Sequence, residues 1–269
     1  MTGGAGRARG SGQARLGIER KSARELALMR QSGKILAQVL AEVRAHVRPG
    51  VTTRQLDTLA EKAIAHHQAV PSFKGYPGPY PFPCATTISI NNELVHGIPG
   101  SRVIQEGDIV SVDCGVIYQG YHADAAFTAG VGHISPEAEK LLRVTARALE
   151  LGIDQMRSGR HTGDIGAAIQ QWVEGQGLHV VRDYTSHGIG RNMHEDPSVP
   201  NYGKPGRGPL LLPGVTIAIE PMVLVGTDET LTLPDQWTVV SKDGSLTAHF
   251  EHTVAVTETE PEILTRLED

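Results

Sequence analysis

The most constraining feature of the sequence is an apolar segment, residues 108–131, that carries two carboxylates. Alternating apolar residues on both sides of Gln119-Gly120 predict two β-strands joined by a two-residue turn. Counting back from that turn along both strands puts Asp113 and Asp124 on the same face, as diagonal neighbours. Because unpaired acids are costly on a buried sheet face, we expect cations, more than one, to neutralise them.

Composition predicts an ordinary soluble protein of one or two domains. The chain has 269 residues, of which 39% are hydrophobic and 20% charged. It has no apolar run of about eighteen residues, so no membrane span is predicted. The two cysteines, Cys84 and Cys114, do not have a metal-binding spacing, and their scarcity favours a reducing cytoplasm over a disulfide framework.

The first 21 residues differ from the rest. They are rich in glycine and contain five basic residues against one acid, Glu19. We expect residues 1–21 to form a flexible Gly/Arg-rich extension and residues 22–269 to form a single domain. The extension has no apolar core of a secretory signal. An arm that contacts RNA, for instance on a ribosome, and an Arg-rich transit peptide are the alternatives.

Helix and strand signals occur twice in the same order. Capping residues and apolar spacing predict paired helices that begin near Ser22, Thr52, Ser135 and Thr162. Strand patterns lie at 86–90, 108–131, 178–185, 215–225, 236–241 and 247–257. Residues 49–64 resemble 158–173, and residues 106–113 resemble 213–220, which superimposes Asp113 on Glu220. An internal αβ duplication is one interpretation, and chance similarity between amphipathic segments is the other.

Three further groups predict a metal site. Glu220 ends an apolar strand, Glu251 lies in an alternating strand, and a Gly-rich segment holds His187 and His194. Four carboxylates and one neutral imidazole balance the charge of two divalent cations. Such a ligand set suits Mn, Fe, Co or Zn, and paired metal ions of this kind serve hydrolases.

The motifs around these residues resemble those of type I methionine aminopeptidases, of peptidase family M24. The resemblance covers residues 22–265 and rests on HGIP (96–99), VDCGVIYQGYHADAAFT (112–128), SHGIGRNMHEDP (186–197), IAIEPM (217–222) and TAHFEHTVAV (247–256). It implies an α+β pita-bread (creatinase/aminopeptidase) fold, a pseudo-two-fold αβ duplication around a central antiparallel sheet. It also implies metal-dependent removal of the initiator methionine from nascent proteins whose second residue is small and uncharged.

The resemblance implies a role for each site residue. Two divalent ions, whether Co, Mn, Fe, Zn or Ni, would be held by Asp113, Asp124, His187, Glu220 and Glu251. A water bridging the ions would attack the first peptide bond. Glu220 would carry its proton, His194 would polarise the scissile carbonyl, and His96 would contact the scissile nitrogen.

A methionine side chain needs a soft apolar pocket, and Trp237 is the first candidate for its wall. Phe82, Tyr76 and Met193 are the other candidates. The sequence departs from the family pattern in the Pro-rich loop 76–87 and at Ser186, where the usual motif has glycine. We expect the change at Ser186 to move His187 only slightly.

Three other functions are alternatives for this ligand pattern. Prolidases and Xaa-Pro aminopeptidases share the fold and ligands but usually carry a large N-terminal domain. A metal-free pita-bread protein that binds a partner would have lost ligands, whereas all five are present. A two-metal phosphoesterase would need more basic residues than Arg191 near the site.

We further expect a cytoplasmic monomer that acts on nascent polypeptide N-termini, with a transient ribosome contact as one option, and that binds neither DNA nor membrane.

Overall fold

Four helices and fifteen strands lie in the part of the chain that the structure describes, residues 17–267 of a computed structural model. The helices are α1 (Ala23–Ala45), α2 (Thr53–His66), α3 (Pro136–Ile153) and α4 (Thr162–Gly175). The strands are β1 (Val70–Pro71), β2 (Thr86–Ile90), β3 (Glu93–Val95), β4 (Ile109–Tyr118), β5 (Tyr121–Gly130), β6 (His179–Val180), β7 (Thr185–Gly188), β8 (Glu195–Pro200), β9 (Thr216–Ile219), β10 (Met222–Leu224), β11 (Thr230–Thr232), β12 (Val239–Ser241), β13 (Thr247–His249), β14 (Glu251–Ala255) and β15 (Glu262–Ile263).

Local capping determines where the helices begin. Ser22 and Thr52 each form a capping box, in which the hydroxyl accepts a bond from the backbone N–H three residues on. Ser135 caps α3, whose first residue is Pro136. In α4 the N-cap residue is His161, and Asp164 accepts a bond from its backbone N–H. The four predicted helix starts are therefore confirmed to within one residue.

The central sheet shows the predicted duplication. Its middle strands run in the order β2-β4-β5-β14-β9-β7, and all of these pairs are antiparallel. In chain order, α1, α2, β2, β4 and β5 form the first half, and α3, α4, β7, β9 and β14 repeat that sequence of elements. β5 of the first half and β14 of the second half are adjacent at the centre of the sheet. The two halves therefore meet along this pair of strands.

The register of the β4–β5 hairpin confirms the parity prediction. Tyr118 pairs with Tyr121, Gly115 with Asp124 and Asp113 with Ala126, with no shift along ten pairs. Gln119 and Gly120 both have positive φ, 49° and 82°, which is the backbone of the two-residue hairpin turn that matches strand twist. Since no bulge intervenes, the two carboxylates share one face of the sheet.

Each half has its own apolar core. One cluster packs side chains of α1 and α2, among them Leu36 and Leu56, against Val112 and Ala123 of the hairpin. The other packs α3 and α4, through residues such as Leu141 and Ile169, against the second half of the sheet. The helices therefore hold the strands in place by apolar burial on both sides of the pseudo-axis.

Arg20 and Lys21, next to the predicted domain boundary at residue 22, contact the rest of the chain. The backbone N–H of Lys21 donates to the Gly214 carbonyl at 2.7 Å, and the Arg20 guanidinium donates to the Pro213 carbonyl at 2.8 Å. The Lys21 ammonium is buried in an ion pair with Glu195. Residues 1–16 lie outside the described residues, and the flexible extension over residues 1–21 stays a prediction.

Between residues 17 and 267 the chain forms no helix that is both long and apolar enough to cross a bilayer.

Cys84 and Cys114 are buried free thiols, and burial raises the pKa of the Cys84 thiol to about 11. Both thiols therefore behave as core side chains.

Replacing Gly33 tests the contact between α1 and the C-terminal segment. A Cβ at this position would lie 2.1 Å from the Leu264 carbonyl oxygen, whereas a Cβ at Gly175, at the exposed end of α4, would meet nothing within 4 Å. Gly33→Ala should therefore lower the free energy of unfolding by about 1–3 kcal/mol despite its higher helix propensity. Gly175→Ala should change it by less than about 0.5 kcal/mol. Urea unfolding measures both, and equal stability of the two variants would contradict the packing.

Candidate metal centre

The first carboxylates of the site lie in one row across three strands. Asp113 on β4 and Glu251 on β14 both pair with Ala126 on β5 between them. Side chains in one row point to the same face of a sheet, and the small Ala126 leaves space above itself. Asp124, two residues before Ala126 on β5, points into the same space. All three acids are buried, with at most 8% of their surface exposed.

The second half of the sheet adds Glu220 and His187. His187 on β7 pairs with Ala218 on β9, and Glu220 follows two residues later, where Pro221 interrupts the strand. The backbone N–H of Glu220 donates to the Ser186 hydroxyl at 2.9 Å, and its carbonyl accepts a bond from Asn201. Ser186 therefore anchors the backbone of Glu220, and its expected small effect on the position of His187 stays a prediction.

A hydroxyl also joins the two central strands. The Thr253 hydroxyl on β14 donates to the Asp124 carbonyl at 2.8 Å and accepts from the Asp124 backbone N–H at 2.9 Å. This pair of bonds sets the position of Asp124 relative to Glu251, which lies two residues before Thr253.

The donor atoms fit a metal site. Ligand atoms of Asp124, His187 and Glu251 lie within 4.8 Å of one another. One oxygen each of Asp113, Asp124 and Glu251 is buried without a hydrogen-bond partner. Buried polar atoms are rarely left unpaired, and oxygen donors beside a neutral imidazole suit hard and borderline divalent ions.

Electrostatics supports the same interpretation. Burial raises the pKa of Asp113 to about 7, and a hydrogen bond from Asp124 partly offsets the shift. Burial, with repulsion from neighbouring carboxylates, raises the pKa values of Asp124, Glu220 and Glu251 well above their usual range. Positive charge at this place would remove the repulsion and keep all four acids ionised.

The tautomer and the neutral charge of His187 suit a metal ligand. Its Nδ1 lies 2.9 Å from the Gly188 carbonyl oxygen, which can only accept, so Nδ1 carries the proton and Nε2 offers a lone pair. That Nε2 lies 3.5 Å from a carboxylate oxygen of Glu220. Burial lowers the pKa of His187 to about 3, so the ring is neutral.

His194 stands beside His187 at the rim. The two ring centroids are 4.3 Å apart, and the Tyr76 hydroxyl lies 2.6 Å from Nδ1 of His194. Burial lowers the pKa of His194. If Tyr76 donates to Nδ1, the other ring nitrogen of His194 carries the proton and is a donor. Tyr76 thus contacts a predicted catalytic histidine besides lining the pocket.

His96 and Trp237 form another part of the cavity wall. His96 has a φ of 61°, which is uncommon for a residue with a side chain, and a Cβ on Gly97 would lie 2.3 Å from the Ile88 carbonyl oxygen. Burial lowers the pKa of His96 to about 4. The Trp237 ring packs edge-on against His96, 6.2 Å away, and Phe82, 5.1 Å away.

The Pro-rich loop 76–87 is fixed against Trp237. A Cβ on Gly78 would lie 2.4 Å from the indole ring, so only glycine allows this approach. The Tyr80 hydroxyl donates to the Asp235 carbonyl at 2.8 Å. The loop thereby brings Tyr76 and Phe82 to the same side of the cavity.

All eleven predicted site residues line one cavity of about 330 Å³. They are Tyr76, Phe82, His96, Asp113, Asp124, His187, Met193, His194, Glu220, Trp237 and Glu251. The cavity also contains Phe73, Tyr184 and His249, which the sequence reasoning missed. For His249 a signal existed, since it lies two residues before Glu251 in an alternating segment and parity puts both on one face.

Comparison with known proteins agrees with this architecture. The model of metallopeptidase family M24 matches residues 27–258. A methionine aminopeptidase of Clostridium perfringens is 53% identical over 245 residues, which are 91% of this chain and 97% of the relative. The crystal structure of methionine aminopeptidase from Thermotoga maritima has a TM-score of 0.90 at 45% identity, covering 93% of this chain and 100% of that one. Prolidase from Pyrococcus furiosus, with a TM-score of 0.74 at 20% identity, covers 93% of this chain and 66% of its own and shares the fold alone.

The fold and the carboxylate-rich cavity are those of a metallopeptidase. The chain belongs to metallopeptidase family M24, and both the family and the pita-bread fold predicted from the motifs are confirmed. Within the family, the relative and the solved structure that share about half of its residues are methionine aminopeptidases.

The raised carboxyl pKa values predict how pH affects the protein when metal is removed. A carboxyl whose pKa is raised on folding stabilises the fold below its unfolded pKa of about 4, and this contribution is lost as pH rises through the folded pKa. For Asp113 the folded value is about 7. In the EDTA-treated protein, the contribution of Asp113 to the free energy of unfolding should therefore fall between pH 4 and pH 7.

Urea unfolding in EDTA at several pH values measures this fall. Asp113→Asn removes one titrating group, so its free energy of unfolding should fall less over the same range. Parallel curves for the two proteins would show that this carboxyl does not have a raised pKa.

Proposed function

We propose that the chain is a methionine aminopeptidase, which hydrolyses the first peptide bond of polypeptides that begin with methionine and have a small, uncharged second residue. The observation that supports this most strongly is the convergence of four carboxylates and His187 at the floor of one apolar-walled cavity. The similarity to methionine aminopeptidases over more than nine tenths of the chain supports the same activity.

Asp113, Asp124, His187, Glu220 and Glu251 would hold the metal ions. Four negative charges balance two divalent cations, and we propose two ions drawn from Co, Mn, Fe, Zn or Ni. When bound, such ions activate a water molecule and polarise the scissile carbonyl.

The chain's own side chains supply the proton transfers and orientation. Glu220 would take the proton of the attacking water and pass it to the leaving amine, because its carboxylate lies at the cavity floor. His194 would donate a hydrogen bond to the scissile carbonyl oxygen, and the bond to Tyr76 would hold its ring for that purpose. His96, which also lines the cavity, would contact the scissile nitrogen.

The methionine side chain would lie between Trp237, Phe82, Tyr76 and Met193. Burial of a thioether against aromatic rings is favourable, and Phe82 and Met193 are themselves almost fully buried. The rigid packing of loop 76–87 on Trp237 would limit the pocket to an unbranched side chain.

We also propose the substrates and the cellular location of this activity. Substrates would be the N-termini of nascent polypeptides, and the protein would act in the cytoplasm as a monomer, with brief contact to ribosomes as an option. The two buried free thiols are compatible with a reducing compartment.

Short peptides test the activity and its specificity. With added Mn²⁺, Co²⁺ or Fe²⁺ the protein should release methionine from Met-Ala-Ser, and EDTA should abolish release. Met-Lys-Ser should be cleaved at least tenfold more slowly, because a long charged side chain does not fit next to the cleaved bond. Mass spectrometry follows the products. Equal release from both peptides would refute the specificity, and preferred cleavage of Ala-Pro-Ser would indicate an Xaa-Pro aminopeptidase instead.

Asp124→Asn tests the metal centre. Removing a buried charge shared by the site should lower both the number of ions bound and kcat, the latter at least 100-fold. Asp57→Asn is a matched control, because Asp57 is a buried acid outside the site whose Oδ1 accepts bonds from Ala85 and Thr86. The control should lose stability and keep its metal content, measured by elemental analysis after dialysis. An Asp124→Asn protein with normal metal content and turnover would overturn the ligand assignment.

A further inference from the structure

His249 is a buried histidine that faces the carboxylates and is left without a partner. Its side chain is 2% exposed, and Nε2 makes no hydrogen bond. The two nearest acid oxygens are Oε2 of Glu220, at 3.7 Å, and Oε2 of Glu251, at 3.8 Å. Buried imidazole nitrogens are normally paired, so this one calls for a ligand that the protein itself does not provide.

These two distances suit a shared ion better than a hydrogen bond. Hydrogen bonds from nitrogen to oxygen are about 2.7–3.2 Å long. Two donors that each lie about 2.1 Å from one ion are about 3.4–3.6 Å apart when the angle at the ion is between tetrahedral and trigonal. Nε2 of His249 is at nearly that separation from one oxygen of Glu220 and one of Glu251.

Glu220 is flanked by two imidazoles. Its Oε1 lies 3.5 Å from Nε2 of His187, and its Oε2 lies 3.7 Å from Nε2 of His249. The position of His249 is fixed by its backbone, which pairs with Met222 and bonds in both directions to the Thr128 hydroxyl. The ring is therefore held where it is by the β10–β13 ladder and by β5.

We propose that His249 is a further metal ligand, which binds through Nε2 the ion held by His187, Glu220 and Glu251. The proposal rests on the metal centre of the proposed function and adds a second nitrogen donor to it. The metal position beside His187 and His249 would then have two imidazole ligands, whereas the metal position beside Asp113 would have carboxylate ligands only. Imidazole suits Zn, Fe, Co and Ni, and oxygen donors suit Mn. The two metal positions would therefore prefer different ions, and the position at His249 would favour a borderline ion.

Histidine ring nitrogens report coordination directly. A ligand must have an unprotonated Nε2 and its proton on Nδ1, whereas a histidine that donated from Nε2 to a carboxylate would have the opposite arrangement. Long-range ¹H–¹⁵N correlation spectra of histidine-labelled protein, recorded through the carbon-bound ring protons, distinguish the two. Metal affinity alone would not, because loss of an outer partner also weakens binding by about 10–100-fold.

Zinc is added to the metal-free protein while these spectra are recorded. In the wild type, Nε2 of two histidines should be unprotonated and shift on addition of zinc. His249→Gln should remove one of the two responding rings. His252→Gln is the matched control, because His252 is on the same segment, is partly buried, and bonds to the Thr265 hydroxyl instead. It should leave both responding rings in place.

The outcomes separate this proposal from the proposed function. A wild-type protein that releases methionine from Met-Ala-Ser with Mn²⁺ or Co²⁺, and in which zinc shifts only one ring, overturns the role of His249 and leaves the function intact. A protonated Nε2 on His249 in the zinc-loaded wild type overturns it as well, even if the variant fails to fold. If zinc shifts no ring and no methionine is released, the metal centre itself is wrong.

Discussion

Four carboxylates buried at the centre of one sheet are the constraint on which the rest of the structure depends. Moving even one ionised carboxylate out of water is costly, and here repulsion between neighbours adds to the cost, as the raised pKa values show. The apolar helices, the hairpin and the hydroxyl bonds of Thr253 and Ser186 therefore hold together a cluster that would destabilise the fold without positive charge. Affinity for metal and stability of the fold are two aspects of the same arrangement.

Duplication explains how a chain can place these acids without loops. Each half contributes two carboxylates, Asp113 and Asp124 from the first half and Glu220 and Glu251 from the second. Three lie on strands beside the pseudo-axis, and Glu220 directly follows β9. Small residues occupy the same rows, with Ala126 between Asp113 and Glu251 and Ala218 next to His187. Since strands are rigid and their register is fixed by burial, the donors are positioned by the core and not by mobile segments.

Much of this could be predicted from the sequence because period-two alternation and a two-residue turn determine which side chains share a face. The same alternation puts His249 and Glu251, two residues apart, on the same side of the cavity. What alternation does not determine is contact across distant segments. The bond between Ser186 and the Glu220 backbone, the bond between Tyr76 and His194, and the burial of Lys21 against Glu195 join residues between 34 and 174 positions apart. Such contacts depend on how loops fold over the sheet, which local patterns do not record.

The two halves of the site are related by fold but differ in chemistry. The first half offers only oxygen donors from its strands, whereas the second places His187 and His249 on either side of Glu220. A neutral nitrogen adds no charge, so a second imidazole strengthens one position without further repulsion among the acids. With the two ions and the His249 ligand proposed above, one position would resemble a hard oxygen site and the other a borderline nitrogen site.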